Sequence, residues 1–349
     1  MSSVQQNSAD FVVESRAAGS AREDFGHLTS GCGVFDLDCR AKVEITGSHR
    51  VRWLNSMISN NVRDLPAGQG VYGFLLTPQG RIQGDLYAYQ RGDSLLLDLD
   101  VAQLEKVLGI LRRYIIMDDV KLTDVSGNLK AIGLAGPRSG PVLKGAGIDI
   151  VELQPLQFAE FVWRENKVTV VRSDNPLVHS FELWVAPEQR SSLWDALVAA
   201  GAAPVSSSAV ESLRIASGIP RYGQDIRDRD LPQETGQQRA LSFTKGCYIG
   251  QEIVERIRSR GSVHRQFSGF EIEGPLPVPG TKVQAGGKDV GEITSTAHLP
   301  VENGDRAVAL GYIRREVAAP DQELAAGDAK ARVVALPFEG IVDTSRVNP

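Results

Sequence analysis

The sequence predicts an α+β protein in which a mixed α/β body is followed by a small all-β domain. Up to about residue 260, segments with the alternating polarity of half-buried strands are interspersed with segments of helical periodicity. From Phe267 onward, short apolar runs are separated by glycine, proline and asparagine at close spacing, which is typical of a small barrel or sandwich. We therefore expect α/β packing first and a barrel-like domain last.

The length and composition of the chain are consistent with three parts. Its 349 residues are 42% hydrophobic and 23% charged, which is ordinary for a globular protein. Residues 1–24 are polar and predict a flexible N-terminal arm. We expect the body at residues 25–262 and the C-terminal β-domain at residues 263–349, because the composition changes near Gly261.

Strands and helices alternate along the first half of the body. Polar and apolar side chains alternate in segments that predict strands at residues 34–37, 43–46, 71–77, 81–89 and 94–99. The sequence Pro78-Gln79-Gly80 predicts a tight turn that joins the third and fourth of these strands as a hairpin. Apolar residues at helical spacing predict one helix capped by Ser48 and another at residues 101–111.

The second half of the body continues the alternation. Residues 161–163 and 168–171 flank Glu165-Asn166 and predict another hairpin, and residues 179–185 predict a short apolar strand. Helical faces near residues 193–198 and 210–215 are separated by the breaker Gly201-Ala202-Ala203-Pro204. This order of elements is that of a mixed α/β body.

Charge and hydropathy argue against two classes of protein. The formal net charge of -5, from 38 Lys+Arg and 43 Asp+Glu, gives no basic field for binding nucleic acid. No apolar run approaches the roughly 20 residues of a membrane-spanning helix, and the first residues do not resemble a secretory signal. We expect a cytoplasmic protein with neither a nucleic-acid nor a membrane partner.

The cysteine and histidine patterns exclude several kinds of site. Cys32, Cys39 and Cys247 are an odd number in a long chain and indicate reduced thiols. Neither the spacing of the first two cysteines nor that of the histidines fits a zinc site, so we expect no permanent metal. The sequence also lacks a recognisable hydrolase triad, dinucleotide fingerprint or phosphate-binding loop.

The densest candidate motif is the octapeptide Lys245–Glu252, with the sequence Lys-Gly-Cys-Tyr-Ile-Gly-Gln-Glu. Gly250 precedes a segment of helical periodicity, which predicts that the Cys247 thiol lies near a helix N-terminus. That position and the nearby Lys245 would favour the thiolate, which is a nucleophile or soft-metal ligand. The alternative is a small buried cysteine in a glycine-rich turn.

The octapeptide resembles the signature of the YgfZ-type folate-binding proteins. These are iron-sulfur cluster assembly and repair factors related to the glycine-cleavage T-protein, an aminomethyltransferase. Blocks that resemble the wider superfamily lie at Gly33–Leu37, Ser212–Ile215, Gly218–Gly223 and Leu231–Glu234. The resemblance spans about residues 25 to 340.

The resemblance implies a T-protein-like folate-binding body of two interleaved α/β parts. A C-terminal β-barrel would close this body around a central channel that holds tetrahydrofolate or a one-carbon-substituted folate. The implied partners are the folate and iron-sulfur client or assembly proteins.

Two carboxylates carry over from the T-protein side of the resemblance. Asp85 matches the second acid of the Asp-Asp-Leu motif that acts on the folate amine, and Glu182 matches the acid that holds the pterin. The chain departs from the pattern in two places, since Gly84 replaces the first acid and Asn175 replaces an aromatic residue. Without the resemblance, Asp85 would cap a turn or pair with an arginine, and Glu182 would face solvent from a strand.

The predicted site residues fall into two groups. The candidate catalytic residues are Cys247, Lys245 and Asp85, and Cys247 is also a candidate for transient contact with a cluster. The candidate folate-binding residues are Glu182, Asp85, Tyr248, Gln251, Glu252 and Arg258. Arg258 belongs to a cluster with Arg256, Arg260 and Arg265 that either attracts an acidic group or is a solvated helix face.

Three functional hypotheses follow. The first is a tetrahydrofolate-binding accessory protein of iron-sulfur cluster assembly or repair that uses Cys247 and is not a conventional enzyme. The second is a folate-dependent aminomethyl or one-carbon transferase with Asp85 and Glu182 as its principal residues. The third is a folate or pterin binding module without thiol chemistry.

Overall fold

The protein is built from two β-sheets, a closed β-barrel and short helices. The computed structural model describes residues 20–261, 263–301 and 304–342. The α+β prediction is confirmed, because a five-stranded sheet and a six-stranded sheet precede a closed six-stranded barrel. Within the described ranges, none of the helices is long and apolar enough to span a membrane.

The α-helices of the described ranges have ten residues or fewer. They are α1 (Ala21–Ser30), α2 (Arg50–Met57), α3 (Leu104–Arg113), α4 (Ser139–Gly145), α5 (Arg190–Ala199), α6 (Ser207–Ala216) and α7 (Gln251–Arg260).

The strands of the body precede those of the barrel along the chain. The body strands are β1 (Gly33–Asp36), β2 (Arg40–Thr46), β3 (Gly70–Leu76), β4 (Ile82–Gln90), β5 (Leu95–Asp100), β6 (Lys121–Asp124), β7 (Lys130–Ala135), β8 (Phe158–Trp163), β9 (Asn166–Arg172), β10 (Ser180–Val185) and β11 (Ala203–Pro204). The barrel strands are β12 (Arg265–Glu273), β13 (Lys282–Ala285), β14 (Lys288–Val301), β15 (Gly304–Arg314), β16 (Glu323–Ala326) and β17 (Ala329–Val334).

The two sheets of the body are interleaved along the chain. The first sheet has the strand order β3-β4-β5-β2-β6, and the second sheet has the order β11-β1-β7-β10-β9-β8. The chain starts in the second sheet with β1, supplies all five strands of the first sheet, and then returns to the second. This topology confirms the expected body of two interleaved α/β parts.

Each sheet of the body is covered by helices on one face. Apolar side chains of β2, β4 and β5 pack against α2 and α3, and those of β1, β7, β9 and β10 pack against α4 and α5. Because successive side chains of a strand point to opposite faces, Val43 of β2 faces the helices and Lys42 faces away from them. We call the face without helices the inner face of each sheet.

The inner faces of the two sheets contact each other through an apolar cluster. Tyr89 and Leu96 of the first sheet pack with Phe158, Val171 and Trp184 of the second sheet. This contact places polar side chains of the same inner faces between the sheets.

The barrel is joined to the body by α1 and α6. Phe25 of α1 and Leu213 of α6 pack in one cluster with Leu299 of β14 and Leu310 of β15. Residues 1–19 of the predicted N-terminal arm lie outside the described residues. The prediction is wrong for Ser20–Asp24, because Ser20 and Glu23 form a capping box that starts α1.

Local signals predict most of the strands of the first sheet but misplace one cap. The hairpin is confirmed as β3 and β4, and Gly80 in its turn has a φ of +72°. Ser48 does not cap α2, since its hydroxyl donates to Oδ2 of Asp119 at 2.7 Å and His49 occupies the N-cap position. A partner distant in the sequence therefore overrides the local preference of this serine.

Gly250→Ala is expected to destabilise the protein more than the control Gly92→Ala. Both glycines have positive φ angles, +83° and +84°, so alanine costs about 1–2 kcal/mol at either position. An added Cβ at Gly250 would lie 2.6 Å from the carbonyl oxygen of Thr77, whereas one at Gly92 would have no atom of the described residues within 4 Å. Urea unfolding of both variants measures the difference, and equal losses would contradict this close packing.

Candidate functional site

The candidate site lies on the inner face of the first sheet, where the strand register aligns polar side chains. Tyr72 of β3 is opposite Tyr87 of β4. Asp98 of β5 is opposite both Tyr87 on one side and Lys42 of β2 on the other. Asp85 shares the face of Tyr87 because it lies two residues before it on β4. The sheet thus collects these side chains from four strands.

Asp85 is held by hydrogen bonds to both of its carboxylate oxygens. The hydroxyl of Tyr72 donates to Oδ2 at 2.6 Å, and Nε2 of Gln103 donates to Oδ1 at 2.7 Å. Across the described ranges, no Lys or Arg forms an ion pair with Asp85 within 4.0 Å. The alternative that Asp85 pairs with an arginine is therefore wrong.

Glu182 lies on β10, on the inner face of the second sheet, with its side chain 18% exposed. Nε1 of Trp184 donates to its Oε2 at 2.9 Å, and Nζ of Lys42 is 3.5 Å from the same oxygen. Within the described part of the chain, no side chain or backbone group donates a hydrogen bond to Oε1. Glu182 is thus not a solvent-facing strand residue, and it presents one carboxylate oxygen to the space between the sheets.

Four charged groups meet where the two sheets come together. Nζ of Lys42 is fully buried and lies 2.9 Å from Oδ1 of Asp98, and Nε of Arg40 is 2.9 Å from the same oxygen. Although burial opposes it, Arg40 and Lys42 lower the pKa of Asp98. Burial, assisted by Asp98, raises the pKa of Glu182.

A path of aromatic rings connects the two candidate carboxylates. The ring centroids of Tyr72 and Tyr87 are 5.0 Å apart, those of Tyr87 and Tyr89 are 6.4 Å apart, and those of Tyr89 and Trp184 are 5.1 Å apart. The first ring bonds to the aspartate and the last to the glutamate. Tyr72, Tyr89 and Trp184 are buried and Tyr87 is half-buried, so the path is a packed row of rings with a carboxylate at each end.

Arg239 and Asp174 extend the site and were not found from the sequence. Arg239 pairs with Asp174, and its guanidinium lies 4.4 Å from the ring centroid of Tyr72. The hydroxyl of Tyr87 donates to Asp174 at 3.2 Å. Asn175, where the family has an aromatic residue, accepts bonds from the backbone N–H groups of Leu177 and Val178.

Lys245 of the octapeptide is buried and anchors its loop to the end of α2. Its ammonium donates to the backbone carbonyl of Asn55, to that of Ile58 at 2.6 Å and to that of Asn60 at 2.8 Å. Burial and the nearby Arg63 lower the pKa of Lys245 to about 7. Because three carbonyls take its N–H donors, the ammonium is not directed at the thiol that it was expected to activate.

Cys247 is exposed in the loop before α7, so the alternative of a small buried cysteine is wrong. The helix begins four residues later, after Gly250. By contrast, Cys32 lies in the core, and burial raises the pKa of its thiol to about 11. Within the described ranges, no group of three or more His, Cys, Asp or Glu side chains is arranged to hold a metal ion.

The structure brings Tyr248 near the candidate site but gives its neighbours other contacts. Tyr248 packs in one apolar cluster with Tyr72. Oε1 of Gln251 accepts a bond from the backbone N–H of Tyr248, and Glu252 is exposed in the first turn of α7. The guanidinium of Arg258 lies 4.2 Å from the ring centroid of Phe243.

The predicted arginine cluster after the octapeptide is divided in the structure. Arg256, Arg258 and Arg260 are exposed on α7. Arg265 instead pairs with Asp230 at 2.5 Å and Glu234 at 3.1 Å, which removes it from the group.

The sequence matches two protein families that together span most of the chain. Residues 5–245 match the GCVT N-terminal domain, and residues 265–339 match the glycine cleavage T-protein C-terminal barrel domain. An aminomethyltransferase of Rubrobacter xylanophilus is 30% identical over 311 residues, which are 88% of this chain and 82% of that protein. An aminomethyltransferase of Geobacillus kaustophilus is 29% identical over 331 residues, which are 91% and 90% of the two chains.

A solved structure has the same fold. The glycine cleavage system aminomethyltransferase T from Bartonella henselae superimposes with a TM-score of 0.82 at 21% identity, covering 92% of this chain and 90% of that chain. The sequence matches and the shared arrangement of interleaved body and closed barrel agree. The chain belongs to the glycine cleavage T-protein family.

Proposed function

We propose that this protein is a tetrahydrofolate-dependent one-carbon transferase of the aminomethyltransferase type. The observation that carries the proposal is the pair Asp85 and Glu182, which lie on the inner faces of the first and second sheets at opposite ends of one aromatic path. Relatives named aminomethyltransferase align over nearly the whole chain, which supports the same activity. The second hypothesis from the sequence is thus preferred over the first, and the protein is proposed to be an enzyme.

The residues around Glu182 fit a reduced pterin. A carboxylate can accept two N–H donors from the edge of an aminopyrimidine, and Oε1 of Glu182 has no donor within the described residues. Trp184 fixes the other oxygen by its hydrogen bond of 2.9 Å. Tyr87, the half-buried ring of the aromatic path, offers an aromatic face against which a bicyclic ring can pack.

Asp85 is suited to handle a proton during transfer. Bound tetrahydrofolate would supply the amine that takes up the carbon unit. As this nitrogen bonds to the carbon unit, the bond from that carbon to its donor breaks and its electron pair leaves with the donor. Asp85 accepts the proton that the nitrogen loses, while Tyr72 and Gln103 hold the carboxylate in place. The apolar clusters on either side limit the access of water to this face of the sheet.

Asp85→Asn is expected to lower kcat by about 100-fold or more, because a general base contributes about 10²–10⁴-fold. Its affinity for tetrahydrofolate should stay within about threefold of wild type, since the proposed pterin ligand is untouched. A transfer assay with tetrahydrofolate and an aminomethyl donor gives kcat, and calorimetry gives the affinity. A wild-type protein that binds tetrahydrofolate but transfers no carbon unit would contradict the transferase proposal.

Glu182→Gln is expected to weaken tetrahydrofolate binding by about tenfold, the loss of one charged hydrogen bond. Burial and Asp98 raise the pKa of Glu182, so acidification protonates it at a higher pH than an ordinary glutamate. Only the ionised form accepts both N–H donors, and the wild-type affinity should fall as the pH drops through this raised pKa.

Calorimetric titrations between pH 5 and pH 8 test this dependence. The exposed Glu188 provides a matched control, since Glu188→Gln should retain the wild-type profile. A Glu182→Gln profile that parallels wild type at every pH would remove Glu182 from the binding site.

We propose a second candidate, the accessory role in iron-sulfur cluster assembly or repair, because of Cys247. This thiol is exposed in the octapeptide that resembles the YgfZ signature, where client or assembly proteins can reach it. Gly84 and Asn175 also depart from the two T-protein positions noted in the sequence.

Cys247→Ser, in a strain that lacks the wild-type copy, separates the two candidates. If the protein is a transferase, the variant should retain both glycine-cleavage flux and the activity of iron-sulfur enzymes, whereas Asp85→Asn should lower the flux. Cys39→Ser is the matched control, because Cys39 is the other exposed thiol of the described residues. Loss of iron-sulfur enzymes with intact glycine cleavage in Cys247→Ser alone would favour the accessory role instead.

A further inference from the structure

We propose that Gln103 is a positioning residue that fixes Asp85 and occupies the space that an acid at position 84 would need. This inference rests on the proposed transferase function and adds a residue to it. Gln103 ends a 3-10 turn, Val101–Gln103, that follows β5 directly. The residue is only 4% exposed, so the polar atoms of its amide must find partners inside the protein.

The side chain of Gln103 bonds to Asp85 at the point where the pairing between β4 and β5 has ended. β4 pairs with β5 from Tyr87 to Gln90, so the backbone N–H of Asp85 lies beyond the last strand pair. Oε1 of Gln103 accepts that N–H at 3.1 Å, while Nε2 donates to the Asp85 carboxylate at 2.7 Å. One side chain thus binds both the backbone and the carboxylate of the same residue, which fixes the carboxylate relative to the strand.

The absence of a side chain at Gly84 makes room for this arrangement. A Cβ there would lie 3.2 Å from Oε1 of Gln103 and 3.1 Å from Cγ2 of Val107. The φ angle of Gly84 is outside the left-handed range, so space rather than backbone strain sets the requirement for glycine. A larger residue at position 84 and the amide of Gln103 compete for the same volume.

Glycine in place of an acid at position 84 also changes the charge near Asp85. An acid at position 84 would start on the opposite face of β4 but would add a negative charge beside the amide that holds Asp85, and nearby carboxylates disfavour each other's ionisation. The neutral amide orients Asp85 without adding charge. Together with the hydroxyl of Tyr72 on the other oxygen, it leaves a single oriented carboxylate to face the substrate.

The first test is the kinetics of Gln103→Met, which keeps the length of the side chain and removes both hydrogen bonds. We expect kcat to fall about 10- to 100-fold, because a small misplacement of a catalytic group costs up to about 100-fold. The KM for tetrahydrofolate should change less than about threefold. Gln103→Glu should be at least as impaired as Gln103→Met, since it restores the acceptor but places a second carboxylate beside Asp85.

A matched control separates positioning from general stability. Gln233 is partly buried and donates a side-chain bond to the backbone carbonyl of Val254 at 2.9 Å, so Gln233→Met removes a side-chain hydrogen bond elsewhere. Wild-type kcat in Gln103→Met would overturn the positioning role. Absence of turnover in the wild type would instead overturn the proposed function.

The second test measures stability and not turnover, and it asks whether a side chain at position 84 and Gln103 need the same space. Gly84→Asp should lower the urea midpoint of unfolding in the wild-type background and lower it much less in combination with Gln103→Ala. Equal shifts in the two backgrounds would overturn the claim that the two positions compete for one volume.

Discussion

The site depends on the contact between the inner faces of the two sheets. Lys42 of the first sheet is fully buried and has one anionic partner on its own sheet, Asp98, and another on the second sheet, Glu182. A buried ammonium without such partners would be strongly destabilising. Because Lys42 is paired with a carboxylate on each sheet, the alignment of the two sheets and the position of Glu182 depend on each other. The contact between Tyr89 and Trp184 stabilises the same alignment by apolar packing.

Local sequence patterns predict an element of this fold well where one face of the strand or helix is apolar and turn-forming residues mark its end. The β3–β4 hairpin is an example, because alternation and the turn residues agree. The prediction that Ser48 caps α2 is wrong because its hydrogen-bond partner, Asp119, is 71 residues away in the sequence. Asp85 and Glu182 were found through family motifs, but Lys42 and Gln103 were not. The contacts of Lys42 arise from strand register and sheet packing, and those of Gln103 from the turn that follows β5, neither of which leaves a local signal.

The octapeptide illustrates a motif whose residues have mainly structural contacts. Lys245 binds three carbonyls at the end of α2, and Gln251 binds the backbone of its own loop. Gly250 lies against the turn of the β3–β4 hairpin, the hairpin that carries Asp85. The motif thus supports the strand on which the candidate base lies, whichever function Cys247 has.

The interleaved order of the strands has a consequence for synthesis on the ribosome. β1 lies between β11 and β7, and its pairing partners are residues 132–135 and 203–204. The first sheet is complete in sequence at Asp124, so it can form while β1 still lacks every neighbour. The nascent chain consequently carries an unpaired strand across the whole synthesis of the first sheet, which lengthens the interval in which an exposed edge can associate with other chains.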